Sequence, residues 1–83
     1  MSEIKIGQVI HWYDKAGVAV IKLSHHLGVG EVIKVRRNEA EFEAPVDSMQ
    51  INHQNISAGE AGEEVAVKLP EAAREGALVY LVV

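Results

Sequence analysis

Residues 31–37 read Glu31-Val32-Ile33-Lys34-Val35-Arg36-Arg37. Ile33 and Val35 fall on one side of an extended chain and Lys34 and Arg36 on the other, the period of two that marks a strand with one dry face. The same pattern recurs on both sides of this stretch. Ser24 to Gly30 reads as the loop leading in, with Gly28 and Gly30 flanking Val29. Before it, Val18 to Leu23 places Ala19, Ile21 and Leu23 on one face and Val18, Val20 and Lys22 on the other. Ile4 to Tyr13 forms a first strand, closed by Asp14-Lys15-Ala16-Gly17, where Gly17 supplies the positive φ of a short hairpin connection.

Downstream, Asn38 and its neighbours turn the chain into a long strand over about Ala40 to Ile51, in which Pro45 requires an edge or a bulge because it has no ladder donor. His53 to Gly62 reads as a polar loop. Glu64 to Leu69 brings Val65, Val67 and Leu69 to one face, and Ala77 to Val82 supplies a sixth strand. Between them, Pro70 to Glu75 has helix-favouring residues but is too short for more than one turn. Six short strands punctuated by Gly, Asn, Asp and Pro define an all-β chain, a small barrel or a sandwich.

The chain has 83 residues, 48% apolar and 24% charged, with a formal charge of −4. That length supports one core, so residues 1–83 are expected to form one domain. The absence of cysteine removes disulfide and thiolate chemistry and fits a reducing compartment, so a cytoplasmic location is expected. No apolar run approaches the ~18 residues of a membrane span, and the first residues lack a signal-peptide pattern. Charge is divided unevenly: residues 1–37 carry a net +3 and residues 38–83 a net −7.

Five pieces carry a resemblance that periodicity cannot: Ile6-Gly7-Gln8-Val9, then Leu27-Gly28-Val29-Gly30-Glu31-Val32-Ile33-Lys34-Val35, Val46-Asp47-Ser48-Met49-Gln50-Ile51, Ala61-Gly62-Glu63-Glu64-Val65, and Arg74-Glu75-Gly76. In order and spacing, over nearly the whole chain, they resemble the second, barrel domain of elongation factor Tu and related translation factors, and small stand-alone elongation-factor-like proteins. The chain is also similar to the accessory barrel at the carboxyl end of some collagenase-like peptidases. The resemblance implies a closed six-stranded barrel of Greek-key type. It does not extend to a nucleotide site, since no G-x-x-x-x-G-K-[ST] loop is present. No nucleotide, cofactor or catalytic group is expected.

Candidate catalytic constellations are weak. The histidines at 11, 25, 26 and 53 read as loop and barrel-mouth residues, since adjacent His25 and His26 point apart in an extended segment. Glu39, Glu41 and Glu43 alternate as a solvated face, and no serine sits in a nucleophile elbow. The candidate binding residues are basic and aromatic. Lys22, Lys34 and Arg36 point outward if Ile21, Ile33 and Val35 point inward, and with the second and third strands as neighbours they form one positive stripe ending at Arg37. Trp12 or Tyr13 near the first hairpin would add a stacking surface for RNA. An exposed Trp12 beside Val18 and Val20 would instead mark a protein interface. The expected function is a non-catalytic binding module for RNA or a translation-related protein; the alternative is a structural or interaction protein, such as a detached accessory barrel or partner of a collagenase-like peptidase.

Overall fold

The computed structural model describes residues 2–83. Ten strands follow in chain order: β1 Glu3–Tyr13, β2 Val18–Leu23, β3 Leu27–Gly28, β4 Val32–Arg37, β5 Ala40–Pro45, β6 Met49–Ile51, β7 Gln54–Ile56, β8 Ala58–Gly59, β9 Glu64–Lys68 and β10 Leu78–Val82. Eight of them form one sheet in the order β5-β4-β10-β1-β2-β9-β6-β7, and β3 and β8 form a separate short ladder. Every pairing is antiparallel. The chain is all-β, and among the described residues no helix is long and apolar enough to cross a membrane.

Strands β4, β10, β1, β2 and β9 each have one dry face. Ile33 and Val35 of β4, Val79 and Leu81 of β10, Ile6 and Val9 of β1, Ala19, Ile21 and Leu23 of β2, and Val65 and Val67 of β9 belong to one buried cluster. With no helix to cover it, a sheet can bury one face only by coiling around that face. Two irregularities in β1 let it bend. Its register shifts between Lys5 and Gly7 against β10, and between Val9 and His11 against β2. Bulges of this kind bend a strand and increase its local twist.

The expected six strands are corrected to ten. The long strand proposed over 40–51 breaks at Pro45, which cannot donate to a continuing ladder. Its halves become β5 and β6, which lie far apart in the sheet order. The segment read as a polar loop over 53–62 contains β7 and β8, because Asn52 and His53, with φ of 51° and 64°, make a tight turn that folds β7 back on β6. Ladder closure is not found among the described residues, since β5 and β7 share no ladder. Residues 70–75 form no helical turn. Instead Ala73 is buried at 1% exposure, because an alanine is small enough to enter the core beside Ala77 without side-chain entropy cost.

Gly17, Gly30, Gly62 and Gly76 all have positive φ, as their turn positions require. At the ends of the described chain, the Ser2 N–H donates to the Val83 carbonyl at 3.2 Å and the Val83 N–H donates to the Ser2 carbonyl at 3.0 Å.

Candidate docking face

The β1–β2 hairpin sets the first wall of a surface groove. The shift in register at Ile10 places His11 and Tyr13 on the outer face and turns Trp12 inward, opposite the buried Ala19. The rings of His11 and Tyr13 meet edge to face, 4.2 Å between centroids, and Tyr13 is 52% exposed. Trp12 packs against the core cluster, and its indole N–H reaches Asp14 Oδ1 at 3.4 Å. Tyr13, not Trp12, is therefore the aromatic presented beside Val18 and Val20.

The floor comes from residues of β2 and β9 that point away from the core. Val18 and Val20 sit opposite Lys68 and Ala66 in the ladder. The far wall is Gln50 of β6 with Asn52 and His53 of the following turn. Together these residues enclose a groove of about 500 Å³ with Glu64 at one end. Lys22 Nζ lies 3.9 Å from the Glu64 carboxylate, so the polar end is internally paired. Outward valines backed by an alanine, rimmed by a tyrosine and neutral amides, suit an apolar side chain with backbone groups around it.

The positive stripe does not form. β2 is separated from β4 by β1 and β10, so Lys22 lies on a different part of the surface from Lys34 and Arg36. The expected neighbours are parted because β10 returns from the far end of the chain to pair with both β1 and β4. Lys34 and Arg36 do point outward as expected, but into carboxylates. Lys34 pairs with Glu3, with Glu43 at 3.8 Å and Glu41 at 4.0 Å. Arg36 pairs with Glu41 at 2.8 Å and Glu3 at 3.4 Å, and its guanidinium lies 5.0 Å from the centroid of the Tyr80 ring. Three carboxylates against two cations leave this patch net negative, which does not suit a phosphate backbone. Arg37 lies apart from both, lining a groove beside β5.

These contacts hold the ionised forms. The Glu3 carboxyl is held below its ordinary value of 4.5, first by its hydrogen bond with Lys34, while the same bond raises Lys34 above 10.5. Glu75 is likewise held below 4.5, chiefly because the Trp12 backbone N–H donates to its Oε2 at 2.7 Å. This bond ties the 70–76 segment to the hairpin that carries Tyr13. A carboxyl whose folded value is depressed stabilises the fold above the unfolded value, and that contribution disappears as pH falls through the folded one. Glu75→Gln is therefore expected to lower stability at pH 7, with the gap to the unsubstituted chain narrowing as pH drops below 4.5. Urea melts of both proteins from pH 7 to pH 3 check this; a gap that stays constant would show that the charge is not used.

The histidines are dispersed. His26 Nδ1 donates to Glu60 Oε2 at 2.7 Å, His25 Nδ1 donates to the His26 carbonyl at 2.7 Å, and His11 faces Glu75 at 3.9 Å. Among the described residues, no three His, Asp or Glu side chains gather as a metal-ligand group. Sequence reasoning missed Gln50, Asn52, His53 and Ala66 as groove residues. The available signal was Val18-Ala19-Val20-Ile21, apolar on both faces, which an outer face fully exposed to water does not call for.

No protein-family model matches the chain. It is 42% identical over 80 residues to an uncharacterized protease of Methanocaldococcus jannaschii, a match that takes in 95% of this chain and 20% of that protein. The chain thus spans about a fifth of the length of the curated relative it matches. Two crystal structures of the C-terminal domain of a Geobacillus thermoleovorans protein described as a U32 peptidase, one the selenomethionine variant, share its fold. Their TM-scores are 0.89 and 0.85, and the matches cover 96% and 90% of this chain and 93% and 95% of theirs. Sequence identity to both is 13%, so this likeness concerns the fold alone.

Proposed function

We propose that the chain is a non-catalytic accessory domain of a collagenase-like peptidase, docking on the catalytic part through the groove between Tyr13 and the Asn52-His53 turn. The observation that carries this reading is the match to one fifth of a protease that nonetheless takes in 95% of this chain. A barrel-like unit that forms a small share of a larger protein works beside the remainder, and a rigid β scaffold with an apolar groove is suited to bind rather than to cleave. The Tyr13 ring supplies the anchor, since exposed aromatics dominate interface energetics.

The test is to express the M. jannaschii relative without the segment this chain matches and to add the chain in trans. Light scattering after gel filtration is expected to give a one-to-one complex. Tyr13→Ala, at a position 52% exposed, should weaken it by about tenfold or more while leaving the fold unchanged. Separate elution at micromolar concentrations, or peptide hydrolysis by the chain alone, would defeat the reading.

A further inference from the structure

The eight-stranded sheet ends on β7 at one side and on β5 at the other. β7 has only three residues, whereas β5 has six, long enough to seat another strand. Its hairpin with β4 turns on Asn38 and Glu39, between the paired residues Arg37 and Ala40. A two-residue turn makes the flanking pair a hydrogen-bonded one, and alternate pairs beyond it exchange bonds. Glu41 and Glu43 fall in the intervening pairs, so their N–H and C=O groups turn away from β4. Among the described residues no backbone hydrogen bond reaches β5 from any segment other than β4. Pro45 ends the strand.

Side chains on this edge decide what could pair with it. Glu41 and Glu43 lie on the outer face, with side chains 43% and 52% exposed, and Glu39 sits in the turn beside them. Lys34 and Arg36 offset only part of this charge, because both also bind Glu3. A groove of about 240 Å³ opens beside the strand, lined by Ala40, Phe42, Ala72 and Ala73 together with the charged Arg37, Glu41, Glu71 and Arg74. A second copy of β5 would set glutamates against glutamates across the ladder, which is destabilising. The acidic edge thus protects against self-pairing while leaving its backbone groups available to a strand of opposite charge.

We propose that the free edge of β5 accepts an extended segment of a partner protein whose side chains alternate between small apolar residues, seated over Phe42 and Ala72, and lysine or arginine facing Glu41 and Glu43. Main-chain bonds to Glu41 and Glu43 give the affinity, and the alternation gives the specificity. The groove beside this edge and the groove at Tyr13 share no lining residue, so the two surfaces can be tested independently.

The probe is a blocked hexapeptide of alternating valine and lysine, added to the isotope-labelled chain and followed by amide hydrogen exchange. Exchange at the Glu41 and Glu43 amides is expected to slow by about tenfold or more on saturation, through two new ladder bonds. A valine–glutamate peptide should leave both amides unchanged, and Glu41→Lys with Glu43→Lys should reverse the preference. Because that double substitution faces Lys34 and Arg36 and could disturb the fold, the valine–lysine peptide methylated on alternate backbone nitrogens serves as the second probe. It keeps the charge and loses the ladder, so it should give no protection. Equal protection by the methylated peptide, or binding without slowed exchange at Glu41 and Glu43, would overturn the proposal.

Discussion

Gly7→Ala is expected to destabilise the fold by about 3 kcal/mol, at the upper end of what overpacking usually costs. Gly7 pairs with Leu23 of β2 and with Val79 of β10, so it is held from both sides. A Cβ there would lie 2.6 Å from the Lys22 carbonyl oxygen and 2.9 Å from Ile21 Cγ2. The first of these is backbone in a ladder, which cannot swing aside as a side-chain tip would. Relief requires β1 and β2 to part, which loosens the core between them. Against the roughly 4–12 kcal/mol expected for a domain of this length, such a loss takes between about a quarter and three-quarters of the margin. With a urea m-value of about 1 kcal/mol/M for a small domain, the denaturation midpoint should fall by about 3 M. A midpoint within experimental error of the parent would mean that the two strands do not approach as closely as described.

Ile21→Ala is the second large effect, expected at about 3–4 kcal/mol by lost burial plus the cavity left behind. Ile21 is fully buried and pairs with Val9 on one side and Val65 on the other, so neighbours held in two ladders cannot collapse into the gap. Val20→Ala, one residue away on the outer face, should change stability by only about 0.5 kcal/mol, as surface substitutions usually do. The pair Gly7 and Ile21 should also be non-additive. Truncating Ile21 removes the Cγ2 that crowds a Cβ at Gly7 but leaves the Lys22 carbonyl in place. The double variant is therefore expected to lose about 1 kcal/mol less than the sum of the single ones. Urea melts of the four proteins check both statements, and strict additivity would argue against direct contact.

The strands that bury one regular face were legible in the sequence. Val18–Leu23 matches its expected limits, and Val32–Arg37, Glu64–Lys68 and Leu78–Val82 each differ by one residue at an end, because each is a β-branched-rich run bounded by turn residues. The short strands were not. Leu27–Gly28 and Gln54–Ile56 are held by their partners more than by their own composition, so their residues carry no period to read. Pro45 was recognised as an irregularity, but whether it bends a strand or separates two depends on where Met49 finds a partner, which is a long-range matter. The same limit governed the site. The outward direction of Lys22, Lys34 and Arg36 was readable, yet the strand order that separates Lys22 from the others is set by β10, drawn from the far end of the chain. Tyr13 and Trp12 exchanged roles through a bulge at Ile10 that an unbroken alternation conceals.

The paired hydrogen bonds between Ser2 and Val83 make the described chain nearly a ring. Its two ends leave from the same point on the surface, as the two leads of a plug do. A unit of this shape can be spliced into the loop of a larger host with hardly any linker, since closing so short a gap costs little entropy. For the same reason the order of its strands along the gene can be rotated, with new ends opened at an exposed turn such as Asp14-Lys15-Ala16-Gly17, without asking any strand to change its neighbours.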